Sequence, residues 1–365
     1  MSLQIHHSRK LIRVLILGTG QMGSGIARLV LEKQGLELVG AYGRRTERAG
    51  IDLGRAIGLE RNLDIRITND LLATINQTRP HIAIQATCSR LKDAVMDIST
   101  LVSHGVHVIS IAEEMAFPIC ASRALAEELH KLALEHGVSI LGTGINPGFV
   151  LDLLVIALTG VCADIDTITA TRINDLSPYG PSVLRSQGVG LTPEEFRAAL
   201  RAGTVVGHIG FQESAHMIAH AVGWTIDRVT ETREPIISHV PRKTPFVTVA
   251  PGQVAGCRHT ATAYRRDKPD KPLITLIHPQ QIHPHLENIA TGDTIEIAGT
   301  PNIRLTGSPE IPGGTGTIAL AVNMIPHVLN AAPGLHTMAD LPVPAATLGD
   351  MRERVRRHVH EEYHG

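Results

Sequence analysis

The first 145 residues alternate between short, continuous apolar runs and longer amphipathic stretches. The apolar runs fall at Arg13–Leu17, Leu36–Tyr42, Ile65–Thr68, His81–Ala86, Val106–Ile109 and Ser139–Leu141. Each has the length of a strand and the continuity of one buried on both faces. Helical patterns lie between them, the clearest being Ser24–Glu32 and Ala121–Glu135. Strands alternating with helices at this spacing predict an α/β fold with a doubly wound parallel sheet.

After Gly144 the pattern changes. Thr167–Ile173 alternates as a strand, and Thr192–Arg201 reads as a helix with a Thr cap, Pro at its first position and acids in its first turn. From Arg228 to Gly307 the chain is rich in β-branched residues and punctuated by Pro and Gly, as a mixed or antiparallel sheet requires. Asp293–Ile297 and Asn302–Thr306 read as paired strands around Gly299-Thr300-Pro301. Gly313–Gly316 then opens a helix, Thr317–Asn330, expected to return to the first sheet, before a Pro-containing loop, Leu335–Pro344, and a charged tail, Met351–His360. The expected division is therefore residues 1–145, an α+β mixed-sheet domain at 146–312, a returning helix and loop at 313–345, and a charged C-terminal tail at 346–365.

The first strand runs directly into Gly18-Thr19-Gly20-Gln21-Met22-Gly23, a G-x-G-x-x-G turn. Gly18 permits the tight turn, Gly20 presents no side chain to a pyrophosphate, and Gly23 lets the helix sit close to the strand. That helix's N-terminus offers N–H donors and the positive end of its dipole. The flanking strand–turn–helix–strand context makes the motif specific for a Rossmann-type dinucleotide site. The alternative is a glycine turn that binds no nucleotide. A site preferring NAD usually carries an acid at the end of the second strand. Here that strand ends Tyr42-Gly43-Arg44-Arg45-Thr46. Two guanidiniums and no carboxylate suit the 2′-phosphate of NADP, with NAD tolerated. Two solvated surface arginines are the competing reading.

At 365 residues the chain has room for two domains. A net charge of −1 argues against nucleic acid or an anionic membrane as partner. No apolar run reaches transmembrane length, and the first ten residues lack a signal-peptide core. Cys88, Cys120, Cys162 and Cys257 stand far apart and read as reduced cytoplasmic thiols.

In an open α/β sheet, ligands bind beyond the carboxyl ends of the strands. Thr87, Glu113-Glu114 and Asn146-Pro147 follow the fourth, fifth and sixth strands. A carboxylate after the fifth strand can hold an ammonium or act as acid and base on an amine nitrogen; otherwise the pair is a helix-entry feature. Arg172 beside Asn174, near Tyr179, reads as a carboxylate clamp, and His208 precedes a helix, where a lone His is more often structural. The 20 histidines include His278, His283 and His285 in one short stretch and His358 and His360 in the tail. Their spacing matches no metal motif, so no metal is expected.

Together GTGQMGSGIAR, AEEMAFP, LGTGINPGFVLD, RINDLSPYGPSVLRSQGVG, VGHIGFQES, PGQVAGCRH, HPQQIHPHLE and PEIPGGTGTIALAVNMIPHVLNAAPGLHTMADLPVP resemble the 2,4-diaminopentanoate dehydrogenases and related native amine dehydrogenases over residues 12 to 345. The resemblance implies a dihydrodipicolinate-reductase-like architecture and a homodimer. It makes residues 146–312 the substrate and dimerisation domain. It also implies oxidative deamination of a 2,4-diamino acid with NADP or NAD, reversible as reductive amination of a ketone by ammonia. One of Glu113 and Glu114, with a slight lean to Glu114, becomes the amine-handling acid, and Asn146, Arg172, Asn174, Tyr179 and His208 line the substrate pocket. The chain departs from the family at Phe117, where Tyr is common. A reductase of another imine, a catalytically silent NADP sensor and a plain alcohol dehydrogenase share parts of this signature. Ammonia-dependent turnover separates the amine dehydrogenase from all three.

Overall fold

The structure is a computed structural model describing residues 10–266 and 268–356. The chain divides into two compact units: one runs to Gly148 and resumes at Gly313, and the other is Phe149–Pro312.

The first unit is built on a seven-stranded sheet. Its strands are β1 (Ile12–Leu17), β2 (Leu36–Tyr42), β3 (Ile67–Thr68), β4 (Ile82–Gln85), β5 (His107–Ser110), β6 (Ser139–Gly142) and, far along the chain, β15 (Gly334–His336). The order is β15-β6-β5-β4-β1-β2-β3, and every pairing is parallel. Parallel strands covered by helices on both faces must be apolar throughout, and β1, β4, β5 and β6 are buried along almost their whole length. Leu15, Leu17, Ala83, Val108 and Ile140 form a core with Leu91, Ile98 and Leu101 of the helix Leu91–Val102 and Leu129 of the helix Arg123–Glu135.

Three local expectations are revised. The strand expected at Ile65–Thr68 shrinks to its last two residues. The helix expected at Thr317–Asn330 is two helices, Gly313–Asn323 and Ile325–Asn330. Pro326 falls in the first turn of the second helix, where its missing N–H costs nothing; inside one continuous helix it would break a hydrogen bond. The loop expected at Leu335–Pro344 begins inside β15, three residues that pair with β6 and are too few to show a period. The charged tail starts with a short turn, Met351–Arg354, whose Met351 is fully buried and whose Met351 N–H donates to the Gln34 carbonyl at 3.0 Å.

In the second unit, six strands form a mixed sheet: β7 (Asp164–Asp175), β8 (Arg228–Ile237), β11 (Val254–Arg265), β12 (Lys268–Gln281), β13 (Gly292–Thr300) and β14 (Ile303–Gly307), in the order β14-β13-β7-β12-β11-β8. Only β7 and β12 run parallel. A separate antiparallel pair joins β9 (Arg242–Lys243) to β10 (Thr248–Val249). The helix Pro193–Arg201 opens with a complete capping box between Thr192 and Glu195. One sheet face is apolar at one end, with Ile168, Ala170, Leu276 and Ile295, and polar at the other, with Arg172, Asn174, His278 and Asp293.

Candidate active site

The glycine turn of the first unit is shaped for a phosphate group. Gly18 has φ +98°, and a side chain there would meet the Ala86 carbonyl. A Cβ on Gly23 would overlap the Gly18 carbonyl oxygen, so the helix Gln21–Glu32 could not close on the turn. A Cβ on Gly20 would meet nothing within 4 Å, so this glycine borders open space at the helix N-terminus. That open cradle fits a dinucleotide pyrophosphate.

The arginines around this turn differ from one another. Arg44 donates to Asp97 Oδ2 at 2.8 Å and to the Asp93 carbonyl at 2.5 Å, so much of its charge is already answered. Arg45 is exposed and has no ion-pair partner among the described residues, and Thr46, also exposed, begins a short turn ending at Arg48. Arg48 reaches back onto the glycine turn, donating to Thr19 Oγ1 at 2.9 Å and to the Thr19 carbonyl. Sequence reading missed Arg48, because nothing distinguishes it from a solvated turn residue.

Thr87, Glu113, Glu114 and Asn146 follow β4, β5 and β6 and lie at the carboxyl edge of the same sheet. A buried network orders this edge: Ser110 donates to Gln85 Oε1 at 2.5 Å, and Gln85 Nε2 donates to Thr87 Oγ1 at 2.7 Å. The Glu113–Ala116 turn presses so closely on the end of β6 that any side chain at Gly142 would overlap the Met115 carbonyl.

The two glutamates of that turn have separate fates. Glu114 Oε1 accepts from Arg90 at 3.0 Å, and Oε2 accepts from the Leu91 N–H at 2.8 Å, the first donor of the helix Leu91–Val102. It caps a helix and neutralises an arginine. Glu113 is partly buried, and desolvation pushes its carboxyl above the usual range, against opposing hydrogen bonds from its own backbone and from Ser89. A raised carboxyl suits proton transfer near neutrality. The sequence alone leans slightly to Glu114 as the amine-handling acid, but in the fold Glu114 is engaged by Arg90 and the Leu91 N–H, whereas Glu113 is the carboxyl that burial raises. Asn146 precedes a cis Pro147, and the neighbouring Ile145 N–H donates to Thr317 Oγ1 at 3.0 Å.

In the second unit, Arg172, Asn174 and His208 gather with two histidines that sequence reading did not place there. The Arg172 guanidinium donates to Asp293 Oδ1 at 2.6 Å and to the Ile311 carbonyl at 2.5 Å. It is thus occupied internally rather than open as a clamp. Asn174 Oδ1 accepts from His278 Nε2 at 3.0 Å. The His208 ring stacks edge-on against His278 at 5.0 Å and Phe211 at 4.8 Å. His208 N–H donates to His259 Nδ1, and His259 Nε2 donates to Glu231 at 3.0 Å, which together fix a neutral His259. Burial lowers His208 to about 3 and His278 well below the usual value, with neighbouring histidines and Arg172 adding to both shifts. His208 Nε2 is sealed from solvent without a hydrogen-bond partner. Hydrogen bonding from His259 holds Glu231 down at about 2 despite its partial burial. Tyr179 is partly buried and packs against the apolar cluster of Leu176 and Leu184. Burial raises its hydroxyl pKa. His358 and His360 lie outside the described residues.

Known proteins are similar to this chain over nearly its whole length. The 2,4-diaminopentanoate dehydrogenase C-terminal domain matches residues 149–357, and the dihydrodipicolinate reductase N-terminus matches residues 12–111. The 2,4-diaminopentanoate dehydrogenase of Acetoanaerobium sticklandii is 44% identical over 347 residues, covering 94% of this chain and 97% of its own. An amine dehydrogenase of Streptomyces virginiae is 25% identical, covering 92% of this chain and 98% of its own. The solved amine dehydrogenase of Mycobacterium smegmatis superposes with a TM-score of 0.81 at 28% identity, covering 94% of this chain and 100% of its own. With its glycine cradle, its raised glutamate and these relatives, the chain belongs to the 2,4-diaminopentanoate dehydrogenase family and is an oxidoreductase acting on amines.

Proposed function

We propose that the chain catalyses the oxidative deamination of 2,4-diaminopentanoate, or a related amine, to the 4-oxo compound and ammonia. The same site runs in reverse as reductive amination of a ketone. The observation that carries this reading is Glu113: a carboxyl raised by desolvation, directly after β5 at the edge where α/β sheets bind ligands. Glu113 takes a proton from the substrate ammonium and so frees the nitrogen lone pair. A nicotinamide cofactor held at the glycine turn, residues 18–23, would supply the hydride acceptor for the carbon that bears this nitrogen. After releasing its proton to solvent, Glu113 takes one from the water that adds to the iminium carbon and returns it to nitrogen; as ammonia leaves, the carbinolamine hydroxyl gives up its proton to Glu113 and the carbonyl forms. The chain's further contribution is orientation. Asn146, Asn174, Tyr179 and His208 are the substrate contacts, a role favoured at His208 by the sealed, unpartnered Nε2. Arg172, paired with Asp293 and bonded to the Ile311 carbonyl, is a positioning residue that holds this polar end of the sheet in place.

The cofactor is NADP by preference and NAD as the second choice. Gly18, Thr19, Gly20, Gln21, Met22 and Gly23 cradle the pyrophosphate. The absence of an acid at the end of β2 and the exposed Arg45 support a 2′-phosphate there, with Arg48 adding charge over Thr19, and with Thr87, after β4, as a further residue that would contact the cofactor. We also place the enzyme in the cytoplasm as a homodimer. The second face of the mixed sheet supports the dimer: Thr167, Thr169, Thr171, Thr260, Thr262 and Thr275 are only partly covered by the chain itself. Absorbance at 340 nm tests the reaction, with NADP or NAD and 2,4-diaminopentanoate against simple amines, and with ketone plus ammonia in reverse. Equal turnover of alcohols, or none without regard to ammonia, overturns it. Light scattering of the eluting protein tests the dimer.

A further inference from the structure

The three histidines of the His278–His285 stretch separate in the fold. His278 turns into the buried polar end of the sheet and bonds Asn174. His283 and His285 instead meet Asp175, the last residue of β7, 108 positions earlier in the chain than His283. One ligand atom from each of Asp175, His283 and His285 lies within 4.8 Å of the others.

We propose that Asp175, His283 and His285 form a binding site for a divalent transition-metal ion of the zinc class. The donors are prepared for it by their neighbours. Asp175 Oδ1 accepts from Ser177 N–H at 2.8 Å, from Ser177 Oγ at 2.5 Å and from His283 N–H at 3.0 Å. These bonds fix the carboxylate and leave Oδ2 for a metal. His283 Nε2 donates to the Lys243 carbonyl at 2.8 Å. A neutral imidazole that gives its proton there keeps the lone pair on Nδ1, the nitrogen that must do the ligating. Backbone carbonyls orient the histidines of metal sites in this way. The His285 ring stands 5.5 Å from the His283 ring at 81°. It is exposed, so it can move inward at little cost. Ligands about 2 Å from a tetrahedral ion stand roughly 3.3 Å apart, so closing the site takes about an ångström of side-chain motion.

The chemistry of the set chooses the ion. Two imidazoles and one carboxylate favour zinc, nickel or copper over magnesium or calcium, which prefer oxygen throughout. The buried Arg242 guanidinium beside the site donates to the His283 carbonyl at 3.3 Å and is paired with Glu287, which answers its charge. Three protein ligands leave further positions for water. A bound ion would tie the end of β7 to the turn Pro284–Glu287 and, through the Lys243 carbonyl, to β9, so its effect is on the cohesion of the second unit.

The test uses the full-length enzyme stripped with chelator and exchanged into chelator-free buffer. Zinc is titrated calorimetrically, and cobalt(II) by its visible absorption, into the wild type and three variants: His285→Ala, Asp175→Asn and His239→Ala. His285 is exposed, so its removal leaves the fold intact. Asn keeps the acceptor at position 175 and loses the charge. His239 is a nearby exposed imidazole outside the triad. The expected result is one saturable site in the wild type, weakened at least 10-fold in His285→Ala and in Asp175→Asn and unchanged in His239→Ala, with a zinc-dependent rise in Tm that follows the same pattern. No saturable binding at about 100 μM metal overturns the proposal. So does a site of equal affinity in wild type and His285→Ala, which places the ion on other histidines.

Discussion

Arg172 and Asp293 face one another directly across β7 and β13, and their side chains, 3% and 8% exposed, meet at 2.6 Å. A buried ion pair is dear to break, because the surviving charge is left without solvent or partner. Arg172→Ala should therefore destabilise the second unit by about 3–5 kcal/mol. Removing both charges together, as Arg172→Met with Asp293→Leu, should recover much of that. Denaturant unfolding of the wild type, Arg172→Met, Asp293→Leu and their combination, with Arg172→Ala alongside, measures it. If Arg172→Ala unfolds like the wild type but raises the KM of a diamino acid far more than that of a plain ketone, Arg172 is a substrate clamp after all.

The adjacent glutamates should respond in opposite ways. Glu113→Gln should cut amine oxidation by about 10²–10⁴-fold, the usual worth of a general acid–base group, with cofactor binding intact. Glu114→Gln should keep most of the activity and lose stability by about 1 kcal/mol, since the helix Leu91–Val102 loses a charged cap.

The sign of the pH effect follows from Glu113's raised carboxyl. The folded protein binds this proton more tightly than the unfolded chain. Ionising Glu113 at neutral pH thus costs stability, and Glu113→Gln should hold or raise Tm at pH 7 while it destroys turnover. In the wild type, kcat/KM should rise with pH as Glu113 ionises, above the ordinary carboxylate range, and that limb should vanish in Glu113→Gln alone. A pH–rate profile with both variants decides it.

Cofactor discrimination should rest on Arg45 more than on Arg44. Arg45→Ala should raise the KM for NADP roughly 10- to 150-fold, the worth of about 1.5–3 kcal/mol of charged contact, and leave NAD nearly unchanged. Arg44→Ala should do less, because Asp97 already holds that guanidinium. Arg48→Ala should weaken both cofactors, because its partner is Thr19 in the shared glycine turn. Equal losses with NADP and NAD in Arg45→Ala would refute the 2′-phosphate contact.

Acid should weaken the fold before carboxylates titrate. Burial lowers His107 to about 4 and His208 to about 3, so both are neutral in the folded state where the unfolded chain would carry protons. The stability they contribute is complete above about pH 6.5 and is lost as pH falls toward those values. At pH 5 each should have cost about 2 kcal/mol, which a series of thermal melts from pH 7 to 4.5 would reveal.

The sheet of the first unit was legible because its strands are continuous apolar runs at regular spacing, and the glycine turn because its three positions each answer a separate steric demand. The short β15 was not, since three residues carry no period. Local chemistry was less legible than topology. Nothing in the sequence tells Glu113 from Glu114: the difference arises when Arg90 and the Leu91 N–H, more than twenty residues upstream, reach one carboxylate and not the other. Arg172 looked like a clamp because Asp293 is 121 residues away in sequence. His259 and His278 lie on alternating strands where inward and outward histidines look alike until register is known.

The interruption of the first unit by Phe149–Pro312 sets an order of assembly during synthesis. When the second unit has fully emerged from the ribosome, the first still lacks its two closing helices and the edge strand at Gly334–His336. Until then β6 displays a row of unpaired peptide groups, the kind of edge that recruits stray strands from other chains. The nascent protein therefore completes its inserted half first and its nucleotide-binding half last. A stop codon between Pro312 and Gly334 would release a product with that edge permanently open, more prone to aggregate than its small loss of length suggests.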